Sequence, residues 1–276
     1  MMAMSGEYPL EKARAEVASC IRIWKKIITE RFSDKIEYAY VKGSSTKDWE
    51  SPIDYVPELS DVDIHIKPRE GCSLITALRP FEEALKISRE YEEEFLRQNP
   101  AHLHVPRSQI VNLNPHLADP GFMLTSVPEE NMLVGKRPQW KTLTAAELRR
   151  VDLNKLTDLR DTLSRLPESA MDRIGIDYVV LIRRLNYEVS PTPVRLLSQI
   201  EGDPHGVWEW NRTMIHRSLR SHGFDDVAES YREYYLTGWE VFRTGFRDNN
   251  LMRWLLGKAF DTLQATISHV EEMRLI

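Results

Sequence analysis

Two short stretches carry the residue types that do chemistry. In the first, Leu59-Ser60-Asp61-Val62-Asp63-Ile64-His65-Ile66, carboxylates alternate with apolar side chains. On a β-strand successive side chains point to opposite faces, so Asp61 and Asp63 share one face while Val62, Ile64 and Ile66 fill the other. Two adjacent carboxylates repel each other, and a cation between them relieves the repulsion. Mg²⁺ suits the position, because it prefers oxygen ligands and is usually held by one or two carboxylates plus substrate phosphates. The second stretch, Val41-Lys42-Gly43-Ser44-Ser45, lies upstream at the end of an apolar run, Ile36–Val41. A glycine lets backbone amides approach an anion, and a serine hydroxyl adds a donor to phosphate oxygens.

Gly43-Ser44 after a first strand, followed by Ser60-Asp61-Val62-Asp63 on the next, resembles the nucleotidyltransferase superfamily that includes DNA polymerase β. The resemblance implies an α+β fold, a nucleotidyltransferase-type mixed sheet flanked by helices, spanning about residues 1–140. It also implies an all-α acceptor-binding domain over 141–276. By the same resemblance Asp61 and Asp63 are catalytic metal ligands, Gly43, Ser44 and Ser45 bind a nucleoside triphosphate such as ATP, and Mg²⁺ is the cofactor. The reaction implied is transfer of a nucleoside monophosphate to an acceptor hydroxyl with release of pyrophosphate. The acceptor is a small molecule, a protein or an RNA end, and the oligomeric state is open. The match is carried by residues 36–66. Further on, Asn131-Met132-Leu133-Val134-Gly135-Lys136-Arg137-Pro138 resembles the segment that closes the catalytic domain in small-molecule members, and reads equally as a last strand and turn.

The chain departs from the family pattern twice. Residues 45–60 separate Ser44 from Asp61, a longer gap than is usual, so Thr46–Glu58 is expected to be a looped flap. The family also carries a third carboxylate on a neighbouring strand, yet no Asp or Glu occurs from Pro100 through Ala118. His104 is the candidate for that position, as metal ligand or general base; a polar edge-strand histidine is the competing reading, and Asp119 in an Asp119-Pro120-Gly121 turn is the substitute. If nothing replaces the carboxylate, the protein is a catalytically impaired nucleotide-binding or partner-binding module on the same fold.

The elements that must position these residues follow from periodicity. Leu10, Ala13, Val17, Ile21, Trp24, Ile27 and Ile28 recur at helical spacing up to Phe32, and Leu74–Arg97 repeats the pattern. Leu103–Leu113 reads as extended with Pro106 breaking it, and Phe122–Val127 as a further apolar stretch. Beyond a boundary at Pro138-Gln139-Trp140-Lys141 strand signals vanish. Thr144-Ala145-Ala146-Glu147 is a capping-box pattern, and helices are expected over 148–166, 168–189, 194–200, 207–219, 224–246 and 251–273. Trp208, Trp210, Tyr231, Tyr234, Tyr235, Trp239 and Phe242 are expected in the helical core. The arginines Arg149, Arg150, Arg183, Arg184, Arg217 and Arg220 read as surface or as phosphate contacts.

Composition sets the limits. The chain has 276 residues, 42% apolar and 29% charged, with a net charge of −5, which argues against a broadly nucleic-acid-binding surface. Its two cysteines, Cys20 and Cys72, have no metal-ligand spacing; Cys20 falls on the apolar face of the first helix and is expected to be a buried thiol. No secretory leader and no membrane-length apolar run is seen, so a cytoplasmic protein without membrane contact is expected.

Overall fold

The computed structural model describes residues 7–75, 78–119, 122, 127–138 and 142–273. Most of the apolar stretch at 122–127, the end of the turn after Asp119, and residues 139–141 of the expected boundary lie outside them. The architecture is α+β. The chain divides into two compact units, one formed by Met1–Thr46 with Ser60–Lys141 and one by Lys47–Leu59 with Thr142–Ile276.

The first unit holds a four-stranded sheet in the order β3-β2-β1-β4. Strand β1 (Ile36–Lys42) pairs antiparallel with β2 (Val62–Pro68) and with β4 (Met132–Val134). Strand β3 (Ser108–Asn112) runs parallel to β2. Helix α1 (Leu10–Phe32) precedes the sheet, and α2 (Pro80–Gln98) connects β2 to β3, the long crossover a parallel pair demands. Helix α1 buries Ala13, Val17, Trp24, Ile27 and Ile28 of the stripe expected from spacing, together with Cys20 and Ile23, while Leu10 and Ile21 are only half-buried. Trp24 stacks on Tyr91 of α2 with ring centroids 5.3 Å apart, and Cys20 is a fully buried free thiol. Burial pushes that thiol up to about 12, so it is inert. A five-residue helix, α3 (Leu113–Leu117), follows β3 directly.

The second unit is helical: α4 (Ala145–Met171), α5 (Ile176–Val189), α6 (Thr192–Ile200), α7 (Pro204–Glu209), α8 (Arg212–Ser221), α9 (Asp225–Arg243) and α10 (Asn249–Glu272). The Thr144–Glu147 capping box forms as the sequence predicts. The single helix expected over 207–219 is two, because Asn211 stops the chain and caps α8, its side chain accepting from the Met214 amide. Tyr231, Tyr234, Tyr235 and Trp239 are core residues, buried to 1% exposure or less. Arginine guanidinia serve internal contacts: Arg149 donates to the Ser198 and Glu201 carbonyls, and Arg183 and Arg217 pair with Glu58 and Glu50.

Those last two partners belong to the segment expected to be a flap. That expectation fails. Residues 47–59 are built into the helical unit, with Ile53, Tyr55, Val56 and Leu59 buried. Asp54, 1% exposed, is the anchor. Its carboxylate accepts from the Glu50 and Ser51 amides and from the amide and hydroxyl of Thr213 on α8, all between 2.8 and 2.9 Å. Arg212 lies 3.9 Å over the Tyr235 ring and donates to the carbonyls of Ile53 and Asp54. On α9, Gly238 lets Leu59 close in: a Cβ there would sit 2.7 Å from Leu59 Cδ2. A segment that satisfies this many buried polar groups is core, whatever its loop-like composition. Among the described residues no helix is long and apolar enough to cross a membrane.

Candidate functional site

The site grows from one pairing in the first unit. Lys42, the last residue of β1, is the register partner of Asp63 on β2. The chain then leaves the sheet through Gly43 with φ of +86°, a conformation that L side chains rarely adopt. A Cβ at Gly43 would fall 2.5 Å from Asp63 Oδ2. Residue 43 therefore has to be glycine on two counts, backbone sign and space, and the turn backbone is pressed directly against a carboxylate. A short 3₁₀ turn, Ser44–Thr46, starts at once and closes through the Thr46 amide and hydroxyl, both donating to the Gly43 carbonyl. The Ser45 hydroxyl donates back to the Lys42 carbonyl at 3.1 Å, so it holds the turn's shape and leaves its backbone as that residue's contribution to a ligand.

Asp61 and Asp63 are one strand repeat apart and share a face, as alternation requires. Val62, Ile64 and Ile66 are at most 1% exposed, which pins the register, since a one-residue slip would bury the carboxylates' face instead. Burial, then the neighbouring negative charge of Asp61, pushes the Asp63 carboxyl up to about 7; Lys42 and Arg107 oppose the rise. The site thus carries one carboxyl whose charged form is disfavoured by burial and by its neighbour.

The sheet brings further residues to the pair. Gln109 on β3 is the register partner of Asp63. Arg107, immediately before β3, accepts the Val62 amide on its carbonyl and places Nη2 2.9 Å from Asp61 Oδ2. His65 lies on the same strand face as the aspartates, buried opposite Tyr40, whose hydroxyl is 3.2 Å from Nδ1. Burial, then the Lys42 charge, drops His65 to about 3, so it is neutral at physiological pH. The alternation of 61, 63 and 65 was the available signal for His65. Arg107 had none, because its approach to Asp61 depends on a parallel pairing that local sequence does not specify.

His104 does not join the aspartates. Pro106 delays β3 to Ser108, and the histidine is tied to α1: its Nδ1 lies 2.7 Å from Glu16 Oε2, and its side chain is 1% exposed. Burial works to raise the Glu16 carboxyl, but hydrogen bonds from the His104 ring and the Leu103 and His104 amides outweigh it and hold the group below its usual range. His104 and Glu16 form a structural pair. Among the described residues, no cluster of three or more His, Cys, Asp or Glu side chains is placed to hold a metal ion.

No family model, curated protein or solved structure matches this chain.

The donor set nevertheless fits one Mg²⁺ shared with a ligand. It offers two carboxylates on one face, one already carrying a cationic partner in Arg107 and the other with its ionisation disfavoured by burial and by its neighbour. Mg²⁺ commonly takes only one or two protein carboxylates and completes its octahedron with phosphates and water.

Proposed function

We propose that the sheet unit is an Mg²⁺-dependent nucleotidyltransferase-type domain, moving a nucleoside monophosphate from a nucleoside triphosphate to an acceptor hydroxyl. The observation that carries this reading is the contact between the Gly43 turn and Asp63, which brings the turn's backbone and a carboxylate pair to the same end of the two central strands. Asp61 and Asp63 would hold the ion, which when bound supplies charge neutralisation to the phosphates. Backbone amides of Gly43–Ser45 and the Ser44 hydroxyl take phosphate oxygens. Lys42, in register with Asp63, adds positive charge beside them. Phosphoryl-group transfer is mostly positioning and electrostatics, so a short list of side chains suffices.

A second reading is favoured by a specific feature. The register partner of Asp63 is Gln109, and the residue beside Asp61 is a cation, where an enzyme of this class is expected to have a third carboxylate. On that reading the domain binds a triphosphate without transferring it.

Calorimetry with Mg²⁺ and each of the four common nucleoside triphosphates tests the first step. Wild-type protein should bind at least one, and the double variant Asp61→Asn/Asp63→Asn should lose Mg²⁺-dependent binding while keeping its fold. Equal affinity in the double variant refutes the site. Radiolabelled triphosphates with a panel of small-molecule, protein and RNA acceptors then separate transfer from binding alone.

A further inference from the structure

The ion pair between Arg107 and Asp61 occupies the place where the proposed metal site needs a free carboxylate. Resting on the nucleotidyl-transfer reading above, we propose that Arg107 is a triphosphate-binding residue that holds Asp61 until the nucleotide arrives, and so couples metal binding to nucleotide binding.

The Arg107 carbonyl accepts the Val62 amide at 2.9 Å, so its backbone is locked to the start of β2 beside Asp61. The side chain is 25% exposed with its Nε buried, and Asp61 is 15% exposed, so an exchange of partners at Nη2 requires no change in the sheet's own hydrogen bonds. Next comes charge. Arg107, with Lys42, offsets part of the unfavourable charge at Asp63. A guanidinium and a divalent ion crowded onto one carboxylate repel each other, so a metal that takes Asp61 displaces Arg107. The displaced fork is planar, long and suited to bidentate contact with phosphate. The ion brings such an anion with it only when it arrives as a nucleotide complex.

Mg²⁺ alone must then break the ion pair with nothing to replace it, whereas an Mg²⁺–triphosphate complex supplies the guanidinium with a new partner. The two ligands reinforce each other, and by linkage each must raise the other's affinity equally. The side chain also explains how a site with two carboxylates works without a third one. Arg107 supplies the complementary charge on the substrate rather than on the metal.

The test uses the full chain with Arg107→Gln and Arg107→Lys, each checked for folding by circular dichroism. Calorimetry is run with Mg²⁺ alone and with the Mg²⁺ complexes of the four triphosphates. Arg107→Gln should bind Mg²⁺ alone about tenfold more tightly, on the scale of one charge-assisted hydrogen bond, and the triphosphate complex about tenfold more weakly. Loss of positive charge alone also favours the cation and disfavours the anion, so the lysine variant, which keeps the charge, is the arm that separates a contact made by the fork from a field effect. Arg107→Lys keeps the charge but loses the fork, and should show both effects at reduced size; it carries the test if the glutamine variant fails to fold. A folded variant that leaves Mg²⁺ affinity unchanged or weaker, or triphosphate affinity unchanged, overturns the proposal while the site itself stands. If wild-type protein binds neither Mg²⁺ nor any triphosphate, the nucleotidyl-transfer reading falls and takes this one with it.

Discussion

Asp63→Asn in metal-free protein isolates the electrostatic cost of the site. Exposed, this carboxyl would titrate at 3.8; in the fold, burial and then Asp61 push it up to about 7. A carboxyl whose folded value is raised binds its proton more tightly in the native state, so the native state loses stability as pH rises from the unfolded value through the folded one. At about 1.4 kcal/mol per pKa unit, the penalty is small below pH 4, grows through pH 5 and 6, and levels off at roughly 4 kcal/mol above pH 7. Asparagine keeps the shape and removes the charge. The variant should therefore be more stable than the wild type at pH 8 by up to about 4 kcal/mol, with the gap closing below pH 4. Native-state hydrogen exchange of β1 and β2 amides in EDTA reads this for the sheet unit by itself. A gap that does not change with pH, or one that favours the wild type at pH 8, would refute the reasoning. Excess Mg²⁺ should shrink or reverse the gap at pH 8, because the ion neutralises the ionised pair.

Three further outcomes are expected. Gly43→Ala places a methyl against Asp63 Oδ2 in a backbone conformation that alanine resists, and should cost about 1–2 kcal/mol and at least tenfold in Mg²⁺–triphosphate affinity; wild-type affinity in calorimetry would show that the turn is not part of the site. Asp54→Ala strips four hydrogen bonds from the buried anchor of residues 47–59, so it should destabilise the helical unit by about 3–5 kcal/mol. Hydrogen exchange across 47–59 would rise with it, and an unchanged protection pattern would restore the flap. His104→Ala leaves Glu16 buried without its ring partner and should lower the urea midpoint by the equivalent of about 3 kcal/mol, with Mg²⁺–triphosphate affinity untouched. Lost binding in a folded His104→Ala protein would return the histidine to the site.

Much of the first unit was legible from local pattern, and for a physical reason. Helix α1 and strands β1 and β2 each carry an apolar period that matches one backbone geometry, and alternation alone assigns Asp61 and Asp63 to a common face. The Gly43 turn was legible too, since a glycine after a strand is where a chain leaves the left side of dihedral space. The Thr144 cap depends on neighbours within one turn of helix, so it was equally local; Cys20 was legible only as a position on the apolar face, and its burial comes from Tyr91 and the Pro106 carbonyl.

What escaped depends on contacts distant in sequence. The segment 47–59 has the prolines and polar residues of a loop, and its place in the helical unit is decided by Thr213, Arg212 and Trp239, more than 150 positions away. His104 had the right chemistry near the right strand, but Glu16 on α1 claimed it; a buried carboxylate has to find a partner, and which one is a matter of packing. Arg107 meets Asp61 only because β3 enters the sheet parallel to β2 in one register, with Val62 beside Ser108. Local sequence by itself determined that a carboxylate pair and a glycine turn would exist. Tertiary structure decided that the pair's immediate neighbours are an arginine and a glutamine, since side-chain alternation specifies a face but says nothing about which strand lies alongside.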